Sequence, residues 1–174
     1  MGTLNKSEDA ISRKSPVIFV VTGTQAPFDR LLSIIDKWAG NQDKFSVIAQ
    51  IANSELKFKN MTCFNYLEPD IFNGYFNNAE VIIGHAGMGT VIKALENEKR
   101  LVVFPRLVKY NEHRNDHQYH TANSFDKLGL INVAYSESEL LNYLDAPDSI
   151  HKKDRIDNKA EQKLLDSLFT FINK

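Results

Sequence analysis

The sequence has 174 residues, of which 43% are hydrophobic and 25% charged, a balance that suits one globular domain with a core of its own. Its 21 Lys and Arg against 22 Asp and Glu leave a formal net charge of -1, so no basic excess advertises binding to nucleic acid. The single cysteine, Cys63, rules out an internal disulfide and any cysteine-built zinc site, and no apolar run reaches the roughly 20 residues that cross a bilayer.

Residues 1–15 are polar and mixed in charge, without the apolar core of a signal peptide, and read as a flexible tail of a cytoplasmic protein. The β-branched run Val17–Val21, closed by Thr22-Gly23-Thr24, predicts a buried strand. Leu31, Leu32, Ile34, Ile35 and Trp38 follow at helical spacing, and Gly40-Asn41 supplies the stop. Ser46–Ile51 predicts a second strand and Thr62–Tyr66 a weaker one. Asp70–Asn78 reads as a short helix capped by Asp70.

Val81–Ile83 is a strand, Gly84–Thr90 a tight glycine-rich turn, and Val91–Glu98 a helix. Leu101–Phe104 gives another strand, ended by Pro105. The polar segment Arg106–Asp116 leads into a helix through Tyr119, Ala122, Phe125 and Leu128, capped by Gly129. Leu130–Ala134 is a last short strand and Ser136–Leu144 a short helix. Residues 16–147 thus form the domain, and 148–174 a charged linker with an amphipathic helix at about Asn158–Ile172. Leu164, Leu165, Leu168, Phe169 and Ile172 line one face of that helix, which covers the domain's own core or docks a partner.

Short apolar strands alternating with helices predict an α/β, Rossmann-like fold: a mainly parallel sheet with helices on both faces. Ligands of such folds sit at the carboxyl ends of the strands, where the polar and glycine-rich residues of this chain fall. At Gly84–Thr90 a strand ending in glycines opens a helix, so free N–H groups and the positive helix end converge. Gly87 and Gly89 admit an anion closely, and Thr90 adds a hydroxyl. The spacing of Gly84, Gly87 and Gly89 is the reverse of a dinucleotide fingerprint, and the Gly-Lys-Ser/Thr of a P-loop is absent. A ligand-free tight turn is the alternative.

Thr22–Phe28 offers hydroxyls and an amide to phosphate or sugar, or else Thr24 is an N-cap and Pro27 a first-turn residue. In Asn111–Gln118, His113 and His117 are spaced to share a helix face with His120 near, which suits either a metal or a polar lip for sugar hydroxyls. The lip suits the mixture of Asn, Asp, His and Gln better. No serine elbow or oriented cysteine–histidine pair is visible.

In order and spacing, His85-Ala86-Gly87-Met88-Gly89-Thr90 and Asn115-Asp116-His117-Gln118 resemble the C-terminal, donor-binding half of family 28 glycosyltransferases. Val21–Gln25 with Pro27-Phe28, Asn78–Ile82 and Pro105-Arg106 support the likeness, which runs from about Val17 to Leu144. It is similar to the small stand-alone subunits of bacterial capsule and exopolysaccharide systems and of eukaryotic dolichol-linked GlcNAc transfer. The resemblance implies one half of a GT-B fold and a UDP-sugar donor, with no metal or other cofactor. It implies that His85, Gly87, Gly89 and Thr90 hold the diphosphate with Thr24 and Gln25, that backbone near Tyr66 and Leu67 faces the uracil, and that Asp116, His117 and Gln118 contact the sugar. Lys93 stands where relatives carry an acidic ribose ligand, with Glu96 one turn later, and the catalytic base stays unassigned. A membrane-anchored acceptor-lobe subunit and a lipid-linked glycan acceptor are the implied partners, at the cytoplasmic face of the membrane. A non-catalytic nucleotide-sugar-binding module is the alternative.

Overall fold

The computed structural model describes residues 15–152. Strands β1 (Val17–Val21), β2 (Ser46–Gln50), β3 (Thr62–Phe64), β4 (Val81–Gly84), β5 (Arg100–Val103) and β6 (Asn132–Val133) form one sheet in the order β3-β2-β1-β4-β5-β6. Every neighbouring pair is parallel. The crossovers are helices α1 (Asp29–Ala39), α2 (Pro69–Asn78), α3 (Met88–Glu96) and α4 (His117–Lys127), and α5 (Glu137–Asp145) follows β6.

Side-chain alternation along the strands feeds two cores. Ile18 and Val20 of β1 pack with Leu31, Leu32 and Ile35 of α1 and Leu140 and Leu144 of α5 on one face. Phe19 and Val21 pack with Tyr75 and Phe76 of α2, Val91 and Leu95 of α3, and Phe125 of α4 on the other. Burial on both faces explains why these strands are continuous apolar runs. Ile150 is buried in the α1–α5 face, beyond a 3-10 turn at Pro147–Ser149.

Several element boundaries depart from the sequence reading. Asp70 does not cap α2: Glu68 holds the N-cap position, Pro69 takes the first turn that suits its fixed φ, and no side-chain cap forms. β3 ends at Phe64, whose carbonyl accepts the Ile51 N–H at 2.8 Å, and Asn65-Tyr66 lie beyond the ladder. α3 starts at Met88 rather than Val91, which puts Gly89 and Thr90 inside its first turn. Gly129 does terminate α4, at φ 68°, with the Leu130 N–H donated to the Phe125 carbonyl. The expected helix at Asn158–Ile172 and residues 1–14 lie outside the described residues.

The strand order reverses between β1 and β4, so the loops following those two strands part and open a crevice at their carboxyl ends. The opposite end is closed by packing. There Trp38 of α1 donates its Nε1–H to Asp145 Oδ1 of α5 at 2.8 Å. Asp145→Ala leaves that largely buried indole N–H without its acceptor and should destabilise the domain by about 1–2 kcal/mol in a denaturant titration. Ligand binding at the far end should be unaffected.

Candidate functional site

Three loops meet at the crevice. The first, 22–28, leaves β1 through Thr22, which is buried and donates its hydroxyl to the Gln50 carbonyl at 2.9 Å. Gly23 then turns the chain at φ 85°, a left-handed conformation that other residues resist. Thr24 and Gln25 stand exposed beyond it. Tyr66 Oη lies 2.8 Å from Asn53 Oδ1 and 3.3 Å from the Thr24 carbonyl, so the loop after β3 is tied to this one. The neighbouring Leu67 N–H is already donated to Gln50 Oε1 at 3.0 Å, so that group is spent inside the fold.

The second loop follows β4. The His85 ring lies between two glycines: a Cβ on Gly23 would fall 2.8 Å from Cε1, and one on Gly87 only 2.3 Å from Nε2. Nδ1 sits 3.4 Å from the Val21 carbonyl. Burial, with the Arg106 charge adding to it, holds the imidazole neutral and lowers its pKa from 6.5 to about 4. Gly87 is the N-cap of α3, and its carbonyl accepts the Thr90 N–H at 3.1 Å. The N–H groups of Met88 and Gly89 have no acceptor within the helix, because its first turn never does. A Cβ on Gly89 would meet nothing within 4 Å. The two glycines therefore differ in purpose: Gly87 makes room for His85, whereas Gly89 leaves the helix end open.

The third loop follows β5 and carries a 3-10 turn, Val108–Tyr110. Asp116 is the N-cap residue of α4, and its Oδ1 accepts the Val108 N–H at 3.0 Å. Gln118 Oε1 accepts the Arg106 N–H at 3.3 Å. His117, the first residue of α4, is exposed. His113 precedes the helix and faces Asn115, with Nδ1 3.1 Å from both its oxygens, so the helical His113–His117 pairing that a metal would use does not form. Among the described residues no three His, Cys, Asp or Glu side chains gather as a metal set.

The sequence reading missed what joins the first and third loops. Arg106, buried at 3% exposure, donates to the carbonyls of Thr22 at 2.8 Å, Ala26 at 2.7 Å and Pro27 at 2.5 Å. Its guanidinium also lies 4.5 Å from the centre of the Phe28 ring. From the other side Arg30 of α1 forks onto Glu112, with Nε to Oε1 at 2.6 Å and Nη2 to Oε2 at 2.8 Å. An arginine directly after a strand-ending proline is a visible signal, but its three acceptors are backbone atoms that no side-chain pattern marks.

Two further groups are accounted for. Lys93 Nζ donates to Asn73 Oδ1 and lies 5.3 and 5.2 Å from the centres of the Phe72 and Phe76 rings, so the cation is engaged against α2. Burial and the nearby Asp36 raise the Cys63 thiol to about 11, which keeps it protonated and unreactive.

The arrangement presents unpaired helix N–H groups, loop hydroxyls and a neutral imidazole to one crevice, a set of partners suited to a phosphate ester flanked by a polar lip. The chain is 30% identical over 131 residues to a UDP-N-acetylglucosamine transferase subunit, ALG13, of Candida albicans, covering 75% of this chain and 41% of that protein. It therefore spans less than half the length of that curated relative. In fold it is similar to the solution structure of ALG13, with a TM-score of 0.56, 17% identity, and 85% of this chain and 92% of that one covered. It is also similar to the UDP-GlcNAc 2-epimerase of Neisseria meningitidis bound to UDP-GlcNAc, with a TM-score of 0.59, 13% identity, and 93% and 46% covered. With residues 17–167 matching the glycosyltransferase family 28 C-terminal domain, the chain belongs to that family and forms one Rossmann-like half of a GT-B architecture.

Proposed function

We propose that the chain is the donor-binding, catalytic subunit of a two-component inverting glycosyltransferase, taking a UDP-sugar, with UDP-GlcNAc the first candidate. The observation that carries this reading is the open N-terminus of α3 at the β1–β4 switch point, within a family 28 domain. The diphosphate lies on the N–H groups of Met88 and Gly89 and the Thr90 hydroxyl, with Thr24 and Gln25 across from them. Loop backbone beside Tyr66 faces the base, and Asp116, His117 and Gln118 face the sugar.

In the reaction the acceptor hydroxyl attacks the anomeric carbon as the bond to the diphosphate oxygen breaks, inverting that carbon and releasing UDP. Negative charge grows on the leaving oxygen, and N–H donors fixed beforehand at a helix end stabilise it without reorganising. No metal or other cofactor enters this scheme. The acceptor's proton goes to a base left unassigned among the described residues. The described lobe leaves the donor open to water on one side, and in this proposal a membrane-anchored partner covers that side and presents a lipid-linked glycan. Among the described residues no helix is long and apolar enough to cross a membrane. In this proposal the chain works as a peripheral subunit at the cytoplasmic face, in capsule or exopolysaccharide assembly.

The test is calorimetry with UDP and with UDP-GlcNAc, UDP-glucose, UDP-galactose and UDP-glucuronate, followed by transfer assays with the partner co-expressed. UDP should bind the chain alone, and transfer to lipid-linked acceptor should need the partner. His117→Ala and Gln118→Ala should weaken the best UDP-sugar at least about fivefold, roughly 1 kcal/mol, beyond any loss for UDP itself. Absence of UDP binding would remove the reading. With the base unassigned among the described residues, the second reading is a regulatory module that binds nucleotide-sugar without turnover, and binding with no transfer in the reconstituted complex would establish it.

A further inference from the structure

Three consecutive backbone N–H groups after β5 each hold a side-chain oxygen from the segment Glu112–Gln118. Arg106 donates to Gln118 Oε1 at 3.3 Å, Leu107 to Glu112 Oε2 at 2.9 Å, and Val108 to Asp116 Oδ1 at 3.0 Å. The outer two orient residues that face the sugar in the proposed site. The middle one, at Leu107, holds Glu112, which is also gripped by the Arg30 fork from α1. Arg30 Nη2 also donates to the Pro105 carbonyl at 3.0 Å, and its guanidinium lies 4.2 Å from the Phe104 ring centre and 4.7 Å from that of Tyr110.

Glu112 is only 9% exposed in its side chain, and Arg30 21%. A planar, two-bond arginine–carboxylate pair in such a setting fixes geometry far better than a solvated surface ion pair. The Glu112 carbonyl is in addition 3.5 Å from Arg106 Nη1, and Arg106 grips the carbonyls of Thr22, Ala26 and Pro27. The third loop thus lends Arg106 to the first, α1 lends Arg30 to the third, and Glu112 stands where the two connections meet.

We infer that Glu112 is a positioning residue for the donor: by clasping Arg30 and the Leu107 N–H it sets the Asp116–Gln118 lip against the loop bearing Thr24 and Gln25. The inference rests on the proposed donor site. It fixes the distance between the two ends of a UDP-sugar, so its loss should be felt by the intact donor more than by UDP, which reaches only one of the two loops.

Glu112→Gln tests this. The amide keeps the shape but replaces one accepting oxygen by an NH2 that meets the donors of Arg30 or Leu107 head-on. Hydrogen exchange without ligand should speed up about tenfold together at 106–108 and 22–28, with 65–68 unchanged, as expected when one shared contact gates local opening. UDP affinity should stay within about twofold while UDP-GlcNAc affinity falls about fivefold or more. Asp145→Ala, which lowers stability at the far end, should change neither the exchange pattern of the loops nor the ratio of the two affinities. Equal losses for UDP and UDP-GlcNAc, or faster exchange confined to 106–108, would overturn the inference. Should Glu112→Gln fail to fold, Arg30→Lys keeps the cation, loses the fork, and must give the same pattern. Failure of the wild-type chain to bind UDP would remove the functional reading, while the exchange measurement still decides the clasp.

Discussion

Gly89→Asp should abolish most UDP binding while leaving the domain as stable as before or slightly more so. A Cβ at this position meets nothing within 4 Å, and the residue lies in the first turn of α3, so the side chain enters open space. An acidic residue in a first helical turn opposes the dipole favourably by about 0.3–1 kcal/mol, and replacing glycine in a helix adds a few tenths more. The same carboxylate occupies the Met88 and Gly89 N–H groups and puts negative charge where the diphosphate must approach. UDP affinity should fall more than tenfold, roughly 1.4 kcal/mol or more.

Opposite signs for stability and binding are what make this variant informative, because a merely damaged fold loses both. Gly89→Asn, neutral and of equal size, should retain much more of the affinity and so separate charge from bulk. Gly87→Ala should behave differently from either. Its Cβ would stand 2.3 Å from His85 Nε2, and Gly23 crowds the same ring, a Cβ there falling 2.8 Å from Cε1. That variant loses stability and binding together. Unchanged UDP affinity in folded Gly89→Asp would take the helix end out of the site, measured by calorimetry beside a thermal melt.

The fold was legible where the determining chemistry is local. Val17–Val21 and Val81–Ile83 are unbroken apolar runs of strand length, and Gly84–Thr90 announces a strand-to-helix turn through its glycines. The same locality located Thr24, Gln25, His85, Gly89 and Gln118 at the carboxyl ends of their strands, where a parallel sheet collects its loops. What was not legible depends on partners distant in sequence. Arg30 and Glu112 are 82 positions apart, and neither segment alone hints at the other. The purpose of Gly87 is invisible until the His85 ring is seen beside it, with Gly23 also against the ring. Asp70 shows the other kind of error: a good capping residue lost the position because Pro69, one residue earlier, fits the first turn without an N–H to satisfy.

The slot around His85 makes the protein sensitive to acid through one imidazole. The ring is held neutral in the fold, with its pKa down from 6.5 to about 4, chiefly by burial and next by the Arg106 charge. Between those values the unfolded chain binds a proton that the folded chain does not, so stability must rise with pH across the window. It is complete above about 6.5 and falls progressively toward pH 4, by up to about 3 kcal/mol for a shift of this size. Denaturant titrations at pH 7.5 and pH 4.5 should show that loss, and His85→Asn should flatten it while the rest of the acid response remains. Ligand reverses the sign of the local effect. With the Nδ1 proton directed at the Val21 carbonyl, Nε2 offers only a lone pair, which a phosphate oxygen repels. A diphosphate at the helix end favours the imidazolium, raises the His85 pKa and draws in a proton. UDP binding near pH 6 should therefore be accompanied by proton uptake, read as a difference in binding heat between buffers of unequal ionisation enthalpy, and His85→Asn should abolish it. Identical heats in both buffers with the wild-type chain would mean that His85 stays neutral and serves only to fill the slot between its two glycines.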